Sequence, residues 1–427
     1  MHRTVLLAVA LATAMPQVQA QDALPQMREE LKKLRDRIQE LERRVEDAES
    51  AATQASAQSA SSAKGESALN PGISAILNGV YANLRQEPGR YRINGFVPTM
   101  GEVAPPPRGF SLGESELGFA ANIDPMFRGT LVAAIAPDSE TIGIEEAYVE
   151  TLALARGFTL KAGRSFSAIG YQNQLHAHAW DFTDAPLVMK AFLGGQRGND
   201  GVQLKWIAPT AMYWDLGGEV GRGAQFPGST LGKNGAGDVN LFTHVGGDIG
   251  DGVAWQAGLS HLRTSPRDRA YDDPLNGLSA SFSGTSRLWA LDGVLKWAPG
   301  GNAASRNLKL QAEYFHRSED GDLNAQPYAS RQSGWYAQTV YQFMPQWRVG
   351  YRYDELDSGS APAAAAASPI LAPYRPKRHS AMLDWSPSEF SRIRLQLARD
   401  DSRMDAPDNQ VFLQYIMSLG AHGAHRF

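Results

Sequence analysis

From about residue 92 to the C-terminus, apolar and polar positions alternate with a period of two in segment after segment. Leu308, Leu310, Ala312 and Tyr314 oppose Lys309, Gln311 and Glu313, and Trp347, Val349, Tyr351 and Tyr353 oppose Arg348, Arg352 and Asp354. Ile393, Leu395 and Leu397 oppose Arg392, Arg394 and Gln396 in the same way. Such alternation gives an extended strand one apolar and one polar face, and no sustained 3.6-residue period competes with it after residue 70. The pattern predicts sixteen strands, near 92–97, 110–123, 126–136, 142–154, 157–166, 200–208, 211–222, 239–249, 252–263, 284–298, 306–317, 332–344, 346–354, 377–386, 390–402 and 408–427. Short turns such as Ile123-Asp124-Pro125 and Ser386-Pro387-Ser388 alternate with long connections at 98–109, 167–199, 223–238, 264–283, 318–331 and 355–376. Short on one side, long on the other and even in strand number is the wiring of an antiparallel transmembrane β-barrel, an all-β fold. Residues 76–84 stand open as an additional strand or a periplasmic cap.

The N-terminal part follows other rules. A basic start (His2, Arg3), an apolar stretch from Val5 to Met15 and Val18-Gln19-Ala20 form a secretory signal over 1–20. Leu24, Met27, Leu31, Leu34, Ile38, Leu41, Val45 and Ala48 then step by three and four without a break. With Leu24 at a, the g–e′ pairs Glu30/Arg35, Arg37/Glu42 and Arg44/Glu49 are all opposite in sign, which predicts a parallel, in-register α-helical coiled coil over 21–49. A Ser/Ala/Gln-rich linker follows and leads into the barrel, 50–91, with the barrel itself over 92–427.

Composition alters this picture little. A mean hydropathy of −0.34 would suit a soluble chain, but a barrel shows lipid only every second residue and averages its polar lumen in. Zero Cys removes disulfides and thiol chemistry. With 41 Lys and Arg against 45 Asp and Glu, a net charge of −4 gives no basic surplus for nucleic acid. Trp206, Tyr213, Trp214, Trp289, Trp297, Trp335, Tyr341, Phe343, Trp347 and Trp385 fall near strand ends, as interfacial girdles require. The chain closes on an alternating strand (Val411, Leu413, Tyr415, Met417, Leu419) and an aromatic residue, Phe427.

With its cleaved signal, heptad segment, sixteen-strand array and terminal Phe, the chain resembles the phosphate-selective porin O/P superfamily, especially its DcaP-like branch with an N-terminal coiled coil. Arg108–Leu117 and Phe158–Arg164 look like strands of such porins. The resemblance implies an outer-membrane diffusion channel for small, often anionic solutes. It implies a homotrimer embedded in the bilayer and lipopolysaccharide with its N-terminal segment in the periplasm, whereas Ile38 and Val45 at heptad a positions lean towards a dimer. The arginine and lysine ladder of the phosphate-selective members is not evident, so phosphate selectivity is not carried over.

If apolar positions face lipid, the opposite parity lines the lumen. That assigns Glu114, Glu116, Lys161, Lys205, Lys309, Arg348, Arg352, Arg392 and Arg394 to the pore, joined by Gln203 and Glu313, with Glu146 and Glu150 of uncertain parity. One arc is then acidic and another basic, which either sets up a transverse field or ties the wall to loops by salt bridges. The connection 167–199 exceeds the ordinary loop length and is rich in aromatics and small residues, so it is expected to fold inward and narrow the pore through His176, His178, Trp180, Asp181 and Asp184. His176-x-His178 with Asp181 nearby also has the donor types of a zinc-class site. No other cofactor is expected, and His422 with His425 belong to the terminal strand. The rival reading is a zinc-uptake receptor of TonB-dependent type, for which about 70 residues before the barrel are too few to form a plug. An enzyme is not expected, because His244, His261 and His316 lie on separate strands with no nucleophile or acid grouped around them.

Overall fold

The computed structural model describes residue 33 and residues 72–97, 99, 103–135, 142–229, 234–272, 277, 279–360, 369–404 and 406–420. The signal, the heptad segment apart from Lys33, the linker and residues 421–427 lie outside the described residues. The strands are β1 (Gly72–Leu84), β2 (Gly109–Leu112 and Ser115–Asn122), β3 (Phe127–Ile135), β4 (Ile142–Thr151), β5 (Phe158–Phe166) and β6 (Gly198–Ile207). They continue as β7 (Tyr213–Gly221), β8 (Asp238–Ile249), β9 (Val253–Thr264, extended by Arg269–Asp272), β10 (Ser279–Trp297) and β11 (Asn307–Leu323). The last five are β12 (Gln326–Met344), β13 (Trp347–Asp357), β14 (Lys377–Ser388), β15 (Ser391–Asp400) and β16 (Asp408–Gly420). Each pairs antiparallel with its sequence neighbours, and β1 closes the ring on β16 from Ser74↔Gly420 to Leu84↔Gln410. A closed sixteen-strand barrel has no free edge, so its backbone groups are satisfied without water.

Side-chain exposure follows the alternation. Leu310, Tyr314, Val349, Tyr351, Leu395 and Leu397 stand exposed on the outer face, while Gln311, Glu313, Arg352, Arg394 and Gln396 are buried on the inner one. Trp214, Trp297 and Trp385 point outward beside the short turns, and Trp347 stacks on Trp385 at 5.9 Å.

Two sequence expectations are corrected. No strand forms over 92–97; the first strand is β1. It hides from a period-two reading because both its faces are apolar: Ile73 and Leu77 face outward, while Ile76, Val80, Ala82 and Leu84 are buried, the last three with Phe412. Ile93, Phe96 and Val97 are buried as irregular backbone. The expected long connection 318–331 is instead strand, closed by a hairpin at Asn324 and Ala325 with φ of 51° and 62°. Both central residues at positive φ is the type I′ geometry of two-residue hairpins. Strands β10 and β12 run for 19 residues, well past the roughly 9–11 that cross a hydrocarbon layer. Toward their outer ends the outward positions are polar, as at Arg287 and Arg331, while Phe282 and Tyr328 are buried inside, so the apolar parity that marks a lipid face is lost.

The barrel interior is filled on its long-loop side. Tyr91, Ile93, Phe96 and Val103 from the β1–β2 connection meet Ile169, Trp180, Leu187, Met189 and Phe192 from the β5–β6 connection. Together they pack on Leu262, Leu288, Ala290, Phe315, Tyr336 and Leu356 of β9–β13. Helix α1 (Leu187–Leu193) is buried on every side and ends at Gly194, whose φ of 76° is the left-handed cap glycine accepts without strain. Each fully buried side chain of this kind contributes about 1.5–3 kcal/mol toward docking the connection.

Candidate functional site

Two strands break their register to bring carboxylates into the lumen. On β2, Leu112 opposes Gly79 but Glu116 opposes Ile76, so one extra residue is inserted between them. On β4, Glu146 opposes Val132 and Ile144 opposes Ala133, which leaves Glu145 as the extra residue of a bulge. A bulge re-aims a side chain that would otherwise face away. As a result Glu145 and Glu146, consecutive in sequence, both reach His176.

The β5–β6 connection spans the barrel from this acidic arc to the basic one. At its first end, His178 Nδ1 lies 2.6 Å from Glu116 Oε1, and His176 Nδ1 lies 3.2 Å from both Glu116 Oε2 and Glu145 Oε2. His176 Nε2 sits 3.1 Å from Glu146 Oε2, and the two imidazoles stack with centroids 5.5 Å apart. Burial alone would lower the His176 pKa, but hydrogen bonds to the Glu116, Glu145 and Glu146 carboxylates outweigh it and raise the group well above its usual value.

At its other end the polarity is reversed. Asp181 accepts from Lys309 Nζ at 2.9 Å and from Arg348 at 3.1 Å. Asp184 meets Lys190 Nζ and an Arg352 nitrogen, each at 3.1 Å, together with Arg378 and, at 3.0 Å, the Gln396 amide. Burial opposes ionisation of both carboxyls, yet Lys309 and Arg348 hold Asp181, and Arg378, Lys190 and Arg352 hold Asp184, well below the usual carboxylate range. Arg394 donates to the Trp180 carbonyl at 2.8 Å and to Asp384 at 2.8 Å.

Trp180, Asp181, Asp184, His176 and His178 thus all meet inner-facing wall residues. Lys161 and Lys205 keep the inner parity on β5 and β6, with the Lys161 ammonium 4.4 Å from the Tyr148 ring. The expected metal trio is corrected. Asp181 belongs to the basic arc, and the carboxylate beside the histidines is that of Glu116; their donor atoms fall within 4.8 Å of one another. Glu114, Glu116 and Glu145 form a second such group. The basic arc is also less open than parity suggested. The side chains of Arg352 and Arg394 are 1% exposed, whereas Arg348 and Arg392 keep 20% and 27%. Sequence reasoning missed Glu145, which only the bulge turns inward. It also missed Arg378 and Asp384, although the alternation of β14 put both on the polar parity. On the turn side of the inward segment lies a cavity of about 820 Å³, lined among others by Asp181, Asp248, Lys296, Lys309 and Arg348.

No family model matches the sequence. An uncharacterised protein of Aquifex aeolicus (strain VF5) is 31% identical over 342 residues, which cover 75% of this chain and 70% of that protein. The chain belongs to that protein's family. Among solved structures, a loop-deletion form of OmpT from Vibrio cholerae superposes with a TM-score of 0.53 at 11% identity, covering 82% of this chain and 99% of that one. The outer-membrane channel DcaP of Acinetobacter baumannii gives 0.52 at 14% identity over 82% and 97%. An anion-selective porin of Comamonas acidovorans gives 0.51 at 9% identity over 82% and 99%. These likenesses establish the porin-type barrel fold.

Proposed function

We propose that the chain is an outer-membrane porin, a passive channel for small polar or charged solutes, working as a homo-oligomer among lipid and lipopolysaccharide. The observation that carries this reading is a closed sixteen-strand barrel whose lumen keeps a charged cavity beside an inward-folded connection. Barrels of this strand number are wide enough for water-filled passage, and the inward segment from 167 to 197 then acts as the constriction. Charge at the narrowest point sets ion preference. Lys296, Lys309 and Arg348 line the cavity and stay partly exposed, as does Arg392, while Arg352 and Arg394 serve to hold the segment.

The test is reconstitution of the purified chain in planar bilayers. Discrete conductance steps are expected, and their absence across preparations that show a folded barrel on gels would refute the channel. In the same set-up, Lys309→Gln with Arg348→Gln removes two cations and uncovers Asp181. The reversal potential under a salt gradient should move toward cation preference; an unmoved potential would show that ions pass elsewhere.

A further inference from the structure

The geometry points to a binding site for a zinc-class divalent cation formed by Glu116, His176 and His178, with Glu145 as the adjoining donor. These residues come from three separate parts of the chain: β2, the bulge of β4 and the inward connection. Two imidazole nitrogens and a carboxylate around one point are a donor set that zinc and its first-row neighbours prefer over magnesium or calcium, which take oxygen ligands. Zinc bonds of about 2.0–2.2 Å set tetrahedral donors roughly 3.3–3.6 Å apart. The present spacings of 2.6 and 3.2 Å to Glu116 need only a small outward shift to admit an ion.

The surroundings match what a metal-bound histidine needs. His176 turns Nδ1 toward Glu116 and Glu145, and its opposite nitrogen, Nε2, rests on Glu146 at 3.1 Å. A carboxylate on the far nitrogen fixes the ring's orientation and tautomer, the usual support for a ligating imidazole. Two ligand carboxylates match the charge of a divalent ion. Such an ion would clamp the first end of the inward segment to β2 and β4, opposite the anchor at Asp184. The inference does not depend on the segment restricting flow, because its test reads binding alone.

Isothermal titration of the full chain in detergent with zinc chloride is expected to show one ion bound per chain at this site. Glu116→Gln, His176→Ala and His178→Ala should each weaken binding by about tenfold or more. His379→Ala, an outward-facing residue of β14, should leave it unchanged. Absence of saturable zinc binding by the wild type, or equal affinity in Glu116→Gln, overturns the proposal. Should a histidine variant not fold, carbethoxylation of the folded wild type mapped by mass spectrometry decides the matter. Zinc must shield His176 and His178, and equal labelling of both with and without zinc rejects the site. Labelling of His422 and His425 reports the terminal pair separately.

Discussion

Removing residues 175–190, with the ends joined by a short glycine linker, should raise single-channel conductance roughly threefold or more while leaving the barrel folded. The barrel tolerates the loss because strand-to-strand hydrogen bonds, not the connection, close the ring. The neck of the connection is also already tied. Ser167 N donates to Arg197 O at 3.1 Å, and the Asn173 amide donates to both the Ser167 and Arg197 carbonyls at 2.8 and 3.0 Å. Keeping Asn173 preserves this staple. The deletion takes out His176, His178, Trp180, Asp181, Asp184 and most of helix α1, hence the contacts with the acidic arc and most of those with the basic arc. It uncovers Arg352, Arg378 and Arg394 on one wall and Glu116 and Glu146 on the other, so ion preference should change along with conductance. An unchanged step size would show that the segment does not limit flow.

How much of this was legible from the chain depends on what each residue faces. Where a strand meets lipid on one side and a polar lumen on the other, as at Leu308–Tyr314 or Ile393–Leu397, alternation reveals both the strand and its inner face. Where both faces are apolar, as in β1 with Ile76 and Leu77 buried and exposed in turn, the period disappears. Where the outward positions turn polar while Leu323 and Tyr328 are buried inside, as at the outer ends of β11 and β12, the strand reads as loop. The site divides along similar lines. The composition of His176-Ala-His178-Ala-Trp180-Asp181 marked the connection as ordered, and parity put Glu116, Lys309 and Arg348 on the inner wall. Partnership was invisible. No local rule says that the histidines seek the acidic arc and the aspartates the basic one, or that a single inserted residue turns Glu145 inward beside Glu146. The wall charges that suggested a transverse field instead receive the segment lying between them, histidines against the acidic arc and aspartates against the basic one.

Asp184→Ala should undock the second end of that segment, seen as frequent transient openings in single-channel records and as new proteolytic cleavage between residues 180 and 195. Asp184 is the carboxylate on which Lys190, Arg352 and Arg378 converge, and those three side chains are 3%, 1% and 1% exposed. Arg352 keeps Asp354 at 3.1 Å and Arg378 keeps Asp400 at 3.5 Å, so the two arginines are not stranded. Lys190, on helix α1, loses its carboxylate partner and is left over the Tyr91 ring at 5.4 Å. Removing one partner of a buried ion pair costs about 3–5 kcal/mol. That cost falls on the docking of the segment rather than on the barrel, because the segment can move its ammonium to water and the strands cannot. Asp184→Asn should be milder, since it retains hydrogen bonds to Arg352 and Gln396 while losing the charge. Mild acid should not reproduce either variant. The folded pKa of Asp184 is depressed, so its contribution is present above the unfolded value and is lost only as pH falls through the lower, folded one. Conductance records and cleavage patterns of Asp184→Ala indistinguishable from wild type would show that apolar packing of helix α1 holds the segment without this anchor.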